Sequence, residues 1–255
     1  MRVISINVNG IRSAAKKGFF AWLQNQSADI VCMQETKAQQ HQLTETIFNP
    51  EGYHVYFCDA QKKGYSGVGI YSKLKPTAVK YGLGWPIADD EGRYLQLDFG
   101  KLSVVSLYLP SGTSGDERQT IKYDFLAKYA EILRHQAHDG QSYILCGDWN
   151  IAHTKQDIKN WQANQKCSGF LPEERAWLDQ VFGPIGFVDA FRHKYPDKVI
   201  YTWWSHRARA WENNVGWRID YQVISQDLAD KIQHGSVYRD EKFSDHAPLI
   251  MDYNI

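Results

Sequence analysis

Apolar residues in this chain gather into short runs closed by polar or turn-forming residues, and the runs are strand-sized rather than helix-sized. Val3–Ile6, Ile30–Met33, Tyr53–Phe57, Val68–Tyr71, Tyr94–Phe99, Leu102–Leu107, Tyr143–Cys146, Val199–Trp203, Ile219–Ile224 and Leu249–Met251 all read as strands. Tyr94-Leu95-Gln96-Leu97-Asp98-Phe99 alternates with period two, as a half-buried antiparallel strand does. Helical spacing falls between the runs. Ile121, Phe125, Tyr129, Ile132 and Leu133 lie on one stripe, with Asp116 and Glu117 where a helix N-terminus favours acids. Leu171-Pro172-Glu173-Glu174-Arg175 opens another helix, because proline and acids suit a first turn. No repeat, low-complexity stretch or linker divides the sequence, so one domain over residues 1–255 is expected. The mixed order of strands and helices fits an α+β fold of two packed mixed sheets flanked by helices better than a doubly wound parallel sheet.

Polar chemistry concentrates where the apolar runs stop. Ile6-Asn7, Gln34-Glu35 and Gly147-Asp148-Trp149-Asn150 each close a strand, and Ser244-Asp245-His246-Ala247-Pro248 opens one. Singly, each carboxylate among Glu35, Asp148, Asp220 and Asp245 reads as a cap or a salt bridge; together they read as one assembled centre. A carboxylate beside buried strand costs free energy unless something compensates it. A hard divalent cation does so, and Mg²⁺ takes oxygen ligands while needing only one or two protein carboxylates. His246 paired with a buried acid, Asp220 being the best candidate, would stay an imidazolium and a fixed donor to a phosphate oxygen. Asn7, Asn150 and Tyr108 add neutral donors. Phosphoryl transfer asks a protein for positioning and charge stabilisation, which this inventory suits. No Gly-x-Ser-x-Gly elbow or Cys–base pair is present, so hydrolysis by an activated water is expected. Lys62-Lys63-Gly64-Tyr65-Ser66-Gly67-Val68-Gly69 lacks the Gly-Lys-Ser/Thr ending of a nucleotide cradle. It reads either as a basic loop that contacts phosphates through Lys63 and Tyr65 or as an ordinary tight turn.

Composition changes little. Acids and bases balance at 29 each, so no global field recruits a polyanion, yet a local basic face would still serve nucleic acid. Cys32 and Cys146 sit inside apolar runs, and no Cys/His spacing suits zinc, so free thiols in a reducing compartment are expected. The chain begins on a strand with no signal segment and contains no run of membrane-spanning length, which makes a cytoplasmic protein without membrane attachment the expectation.

Taken in order, these strings resemble the exonuclease III family of AP endonucleases. The resemblance rests on Ile6-Asn7-Val8-Asn9-Gly10, Gln34-Glu35-Thr36-Lys37, Gly64-Tyr65-Ser66-Gly67-Val68-Gly69, Gly147-Asp148-Trp149-Asn150, Gly216-Trp217-Arg218-Ile219-Asp220-Tyr221 and Ser244-Asp245-His246-Ala247-Pro248, which span nearly the whole chain. It implies a four-layered, deoxyribonuclease I-like α/β sandwich with the site between the upper ends of two sheets. It also implies Mg²⁺-dependent incision 5′ to an abasic site, leaving a 3′-hydroxyl, with Mn²⁺ as a substitute. By the same resemblance Glu35 is the principal metal ligand, with Asn7 and Asp245 beside the metal. Asp148 activates or orients water. Asn150, Tyr108 and His246 surround the scissile phosphate, Asp148, Asn150 and His246 also border the metal, and Asp220 holds His246.

The resemblance further puts Trp203, Trp217 and Ile219 in an apolar pocket for a flipped-out abasic sugar. A pocket of that size rejects an intact nucleotide without reading a base. Ile219 is equally at home in the core, and of Trp203 and Trp204 one ring is expected in and one out. Arg207 and Arg209 around Ala208, with Trp211 beyond, read either as a phosphate clamp with a stacking ring or as a solvated loop. Small residues at Ser168 and Gly169 leave room for a continuous strand, where some relatives confined to 3′ ends carry bulk. Ser111 and Asn9 depart from residues found in some members. The expected partner is double-stranded DNA carrying abasic sites or blocked 3′ ends, bound by a monomer. A dedicated 3′ to 5′ exonuclease on the same fold is the alternative.

Overall fold

The structure is a computed structural model describing residues 1–255. Its strands are β1 (Arg2–Asn7), β2 (Ile30–Gln34), β3 (His54–Cys58), β4 (Val68–Ser72), β5 (Ala78–Tyr81), β6 (Tyr94–Phe99), β7 (Leu102–Tyr108), β8 (Ser142–Asp148), β9 (Phe187–Asp189), β10 (Trp203–Trp204), β11 (Gly216–Trp217), β12 (Asp220–Ser225), β13 (Ile232–Val237) and β14 (Leu249–Tyr253). Its helices are α1 (Ile11–Lys16), α2 (Phe19–Gln24), α3 (Pro86–Asp89), α4 (Asp116–Gln136), α5 (Trp161–Asn164), α6 (Pro172–Phe182) and α7 (Ala190–Lys194). One six-stranded sheet runs β13-β14-β1-β2-β4-β3 and a second runs β5-β6-β7-β8-β12-β9. Only β1/β2 and β7/β8 pair in parallel, so both sheets are mixed.

The sheets pack face to face because their central strands are apolar on both sides. In β1, Val3 enters the core between the sheets while Ile4 and Ile6 lie beneath α1 and α2. In β2, Ile30 and Cys32 face inward while Val31 and Met33 face the helices. The second sheet is covered by α4 and α6, with Phe125, Tyr129, Leu133, Trp177 and Leu178 over Val105, Leu145 and Tyr221. Two sheets between two helical layers give the four-layered α+β sandwich. Burying a side chain such as Leu133 contributes about 1.5–3 kcal/mol, which is why α4 docks along its length.

The fold departs from the sequence reading in three places. β5, β9 and β13 are all edge strands: β5 and β13 carry polar residues that break an apolar run, and β9 is only the three residues Phe187–Asp189. The expected strand Val199–Trp203 contracts to the two-residue β10, because Val199 is exposed and the segment before Trp203 has no ladder partner. On α4 the buried stripe is Lys122, Phe125, Leu126, Tyr129 and Leu133, while Ile121 and Ile132 flank it half-buried.

Candidate active site

Register assembles the site. Tyr108 at the end of β7, Asp148 at the end of β8 and Asp220 at the start of β12 are direct neighbours across three strands. Their side chains therefore leave the same face of the second sheet. From the first sheet Asn7 ends β1 beside Gln34, and Glu35 follows with a left-handed φ of 50°. Asn150 turns back at φ 52°, so two chains leave their strands through conformations that non-glycine residues rarely adopt. A buried link from Gln34 Nε2 to Ser106 Oγ, 3.0 Å, ties the sheets together just below.

One amide bridges two carboxylates at the centre. Asn7 Nδ2 donates to Glu35 Oε1 at 2.8 Å and to Asp148 Oδ2 at 2.9 Å. Asp148 Oδ1 accepts from the Asn150 backbone N–H at 2.9 Å. His246 Nδ1 lies 2.9 Å from Asp220 Oδ2, and its Nε2 lies 3.8 Å from Asp148 Oδ2. Asp245 accepts from Asn9 Nδ2 at 2.9 Å and from Trp203 Nε1 at 3.1 Å. Lys37 Nζ pairs with Glu35 Oε2 at 2.7 Å.

Electrostatics follow from this crowding. Burial, with Asp220 and Glu35 nearby, raises the Asp148 carboxyl to about 7 against the opposing pull of His246 and Asn7. Burial alone would discharge His246, but Asp220 and then Asp148 outweigh it and raise the imidazole to about 10. It is a cation at neutral pH. Burial also works against ionised Asp245, yet His246, Asn9 and Trp203 hold its carboxyl down to about 2. Burial and the Glu35 charge keep Tyr108 a protonated donor. The Arg93 guanidinium lies 4.6 Å from the Tyr108 ring centroid and donates to the Tyr108 carbonyl oxygen at 2.9 Å, fixing that side chain from behind.

These groups floor a cavity of about 770 Å³. Glu35, Tyr65, Tyr108, Asp148, Asn150, Trp203, Arg207, Trp217, Ile219, Asp245 and His246 line it, while Asn7 and Asp220 lie buried behind it. Trp203 and Trp217 meet edge to face, 5.9 Å between centroids at 88°, and make an apolar wall with Ile219 beside His246. Trp204 is the ring turned inward. Lys63 is not among the residues that line the cavity. It is exposed at the loop tip before Gly64, and the turn carries Tyr65 inward instead. The Tyr65 hydroxyl accepts from Arg118 at 3.0 Å and Arg93 at 3.3 Å, and both guanidiniums share Glu91. Arg93, Arg118 and Lys37 have no site role in the sequence reading. Arg93 heads an apolar strand at the first position of Arg93-Tyr94-Leu95, a signal of the same kind as the carboxylates.

The donor set suits a hard cation. Glu35, Asp148, Asp220 and Asp245 converge on two cationic side chains, Lys37 and His246, and all the carboxylate and amide donors are oxygens. The ligand atoms of Asp148, Asp220 and His246 lie within 4.8 Å of one another, but the charged imidazole repels a cation there.

The family model described as the Endonuclease/Exonuclease/phosphatase family matches residues 4–246. The chain belongs to this family. It is 42% identical over 260 residues, the full length of both chains, to a Bacillus subtilis protein named exodeoxyribonuclease. It is 37% identical to a Dictyostelium discoideum DNA-(apurinic or apyrimidinic site) endonuclease, covering 100% of this chain and 71% of that one. An AP endonuclease structure from Archaeoglobus fulgidus superposes over 100% of both chains with a TM-score of 0.91 at 29% identity. Members of the Endonuclease/Exonuclease/phosphatase family are metal-dependent enzymes, and the carboxylate cluster here offers such a site. No helix of the chain is long and apolar enough to cross a membrane.

Proposed function

We propose that this chain is a Mg²⁺-dependent AP endonuclease of base-excision repair, acting in the cytoplasm as a monomer on double-stranded DNA. It hydrolyses the phosphodiester 5′ to an abasic site to leave a 3′-hydroxyl, and removes 3′-blocking groups and some 3′ nucleotides through the same site. Asp148, oriented by Asn7 and the Asn150 N–H, takes a proton from the attacking water. The new phosphorus–oxygen bond forms as the bond to the 3′ oxygen breaks; that oxygen takes a proton from solvent to become the 3′-hydroxyl, and Asp148 returns its proton to solvent. His246, held charged by Asp220, donates to a phosphate oxygen, and Asn150 and Tyr108 complete the donors around it. Glu35, Asp245 and Asn7 would hold Mg²⁺, which supplies positive charge to the phosphate as its own charge redistributes.

The observation that carries this reading is the perpendicular Trp203–Trp217 wall with Ile219, whose Trp203 ring lies 6.4 Å from His246. An apolar slot beside a phosphate-binding centre fits a sugar without its base. The deciding experiment incubates a 5′-labelled duplex carrying one tetrahydrofuran abasic analogue with Mg²⁺ or with EDTA, beside an undamaged duplex with a recessed 3′ end. A single Mg²⁺-dependent cut just 5′ to the lesion is expected. Trimming of the recessed end alone would move the function to a dedicated 3′ to 5′ exonuclease, the reading favoured by the name of the Bacillus relative. Cleavage of neither would overturn both.

A further inference from the structure

The apolar face of α4 carries a lysine. Lys122 Nζ lies 2.6 Å from a Glu174 carboxylate oxygen of α6, and both side chains have 0% exposure. Two helices pack more cheaply through Leu or Met than through a buried ion pair, unless each polar atom has other work. Here each does, and most of it is directed at the site. Lys122 Nζ also donates to the Asn150 backbone carbonyl at 2.8 Å, and Asn150 is the left-handed residue after Asp148 and Trp149. Glu174 accepts from the Gly169 N–H at 2.7 Å and the Leu171 N–H at 3.0 Å, besides Gln119 at 3.1 Å and Ser168 at 3.4 Å.

The far ends of these bonds meet again at the cavity. Ser168 and Gly169 line its rim. The Gly169 carbonyl accepts from Ala152 N–H at 2.8 Å. Gly169 has φ 93°, and a Cβ there would stand 3.1 Å from both the Asn150 carbonyl oxygen and the Trp217 ring. One buried pair thus reaches the turn that presents Asn150 and the rim that closes on Trp217.

We propose that Lys122 and Glu174 are positioning residues that set the Asn150 turn and the 167–171 rim as one unit, so that phosphate donor and sugar wall keep a fixed spacing. The proposal rests on the cavity being the phosphodiesterase site. Neither side chain touches substrate; each acts through backbone it holds.

The test uses the full chain with both charges removed together, Lys122→Met with Glu174→Gln. This neutral, near-isosteric pair avoids the stranded buried charge that each single change would leave. Melting temperature should recover toward the native value relative to Lys122→Met alone. On the tetrahydrofuran duplex kcat should fall about 10- to 100-fold with KM nearly unchanged, the usual size of a loss of support behind a functional group. Peptide-level hydrogen exchange without DNA should speed up together over 148–152 and 167–171. That readout does not depend on the substrate, so joint loosening in a chain whose native form fails to cut the lesion would sink the assigned activity while keeping the coupling. Native protection of both segments, or loosened segments with native kcat, would overturn the proposal. So would loosening of one segment alone.

Discussion

The carboxylate centre and the 205–215 loop border the same cavity but are held by different means. In the centre, strand register does the placing: Tyr108, Asp148 and Asp220 are neighbours on three paired strands, and every carboxylate is bonded to another group of the site. The loop joins the paired strands β10 and β11 but forms no ladder of its own. Side chains anchor it instead, chiefly Arg239, whose guanidinium lies 4.6 Å from the Trp204 ring centroid and 5.2 Å from that of Trp211, beside a Trp204 Nε1 bond to Asn214 Oδ1 at 3.1 Å. Arg239 also donates to the Trp211 carbonyl at 2.7 Å and to Asn214 Oδ1 at 3.0 Å. Trp211 therefore packs against Trp204 as an anchor, and Arg207 and Arg209 are the groups left facing solvent. Register tolerates no gradual adjustment, whereas an aromatic clamp on an irregular loop does. Damage to the centre should appear in the chemical step and damage to the loop in binding.

The largest effect should come from the centre. Asp148→Asn keeps the shape but removes the proton acceptor, and incision should fall by about 10²- to 10⁴-fold. Duplex affinity, measured by anisotropy in Mg²⁺, should stay near native. Near-native incision by this variant would remove Asp148 from the reaction.

Next in size is the joint between the regions. Asp157, fully buried, accepts from Arg218 Nε at 2.7 Å and Arg192 at 2.6 Å, and Arg218 immediately precedes Ile219 and Asp220. Burial alone would raise its carboxyl, but Arg218 and Arg192 hold it well below its ordinary 3.8. A depressed folded value means the stabilisation is complete above that ordinary value and drains away as pH falls below it. Asp157→Asn should cost about 1–3 kcal/mol at pH 7, because Arg218 and Arg192 lose the carboxylate they share while Arg218 keeps Asp189 at 2.7 Å. The gap from native in urea melts should narrow toward pH 3. A gap that stays constant with pH would mean that packing, not charge, holds the joint.

How much of this was legible beforehand follows the same division. Asp148, Glu35, Asp245 and His246 announced themselves because a charged residue bordering an apolar run is anomalous in sequence and anomalous in energy. Central strands announced themselves by being apolar on both faces, while the edge strands β5, β9 and β13 did not. Lys122 hid for the opposite reason. It occupies the middle of an apolar helix face, so a pattern reader skips it and centres the stripe on Ile121. Arg118 sits in the first turn of α4 and reads as an ordinary solvated arginine. Only proximity in space, which a linear pattern does not carry, brings Arg118 to Tyr65 and Glu91.

Removing the loop's anchor is a smaller perturbation. Arg239→Ala abolishes two cation–π contacts and two hydrogen bonds, and partly desolvated contacts of this kind contribute about 1 kcal/mol. Duplex affinity should weaken by up to about tenfold, with kcat on saturating substrate nearly unchanged. A fall in kcat at unchanged affinity would mean that the loop and the centre are not separable.

The smallest effect is the sharpest probe of what the loop is for. Arg207 is exposed at the cavity edge, within a loop whose Ala208 and Arg209 have left-handed φ values of 53° and 50°. That backbone directs its side chain without packing it. If Arg207 meets a DNA phosphate, it displaces condensed counterions, and Arg207→Ala should lower the slope of log affinity against log salt by about 1. The effect should be equal for lesion-bearing and intact duplexes, since a phosphate carries no information about the missing base. A change confined to the lesion duplex would instead put Arg207 in the pocket with Trp203 and Trp217, and the loop would belong to recognition as much as the wall does. An unchanged slope on both would leave Arg207 as solvated surface, and phosphate contacts would have to come from elsewhere on the cavity, Arg118 and the centre itself included.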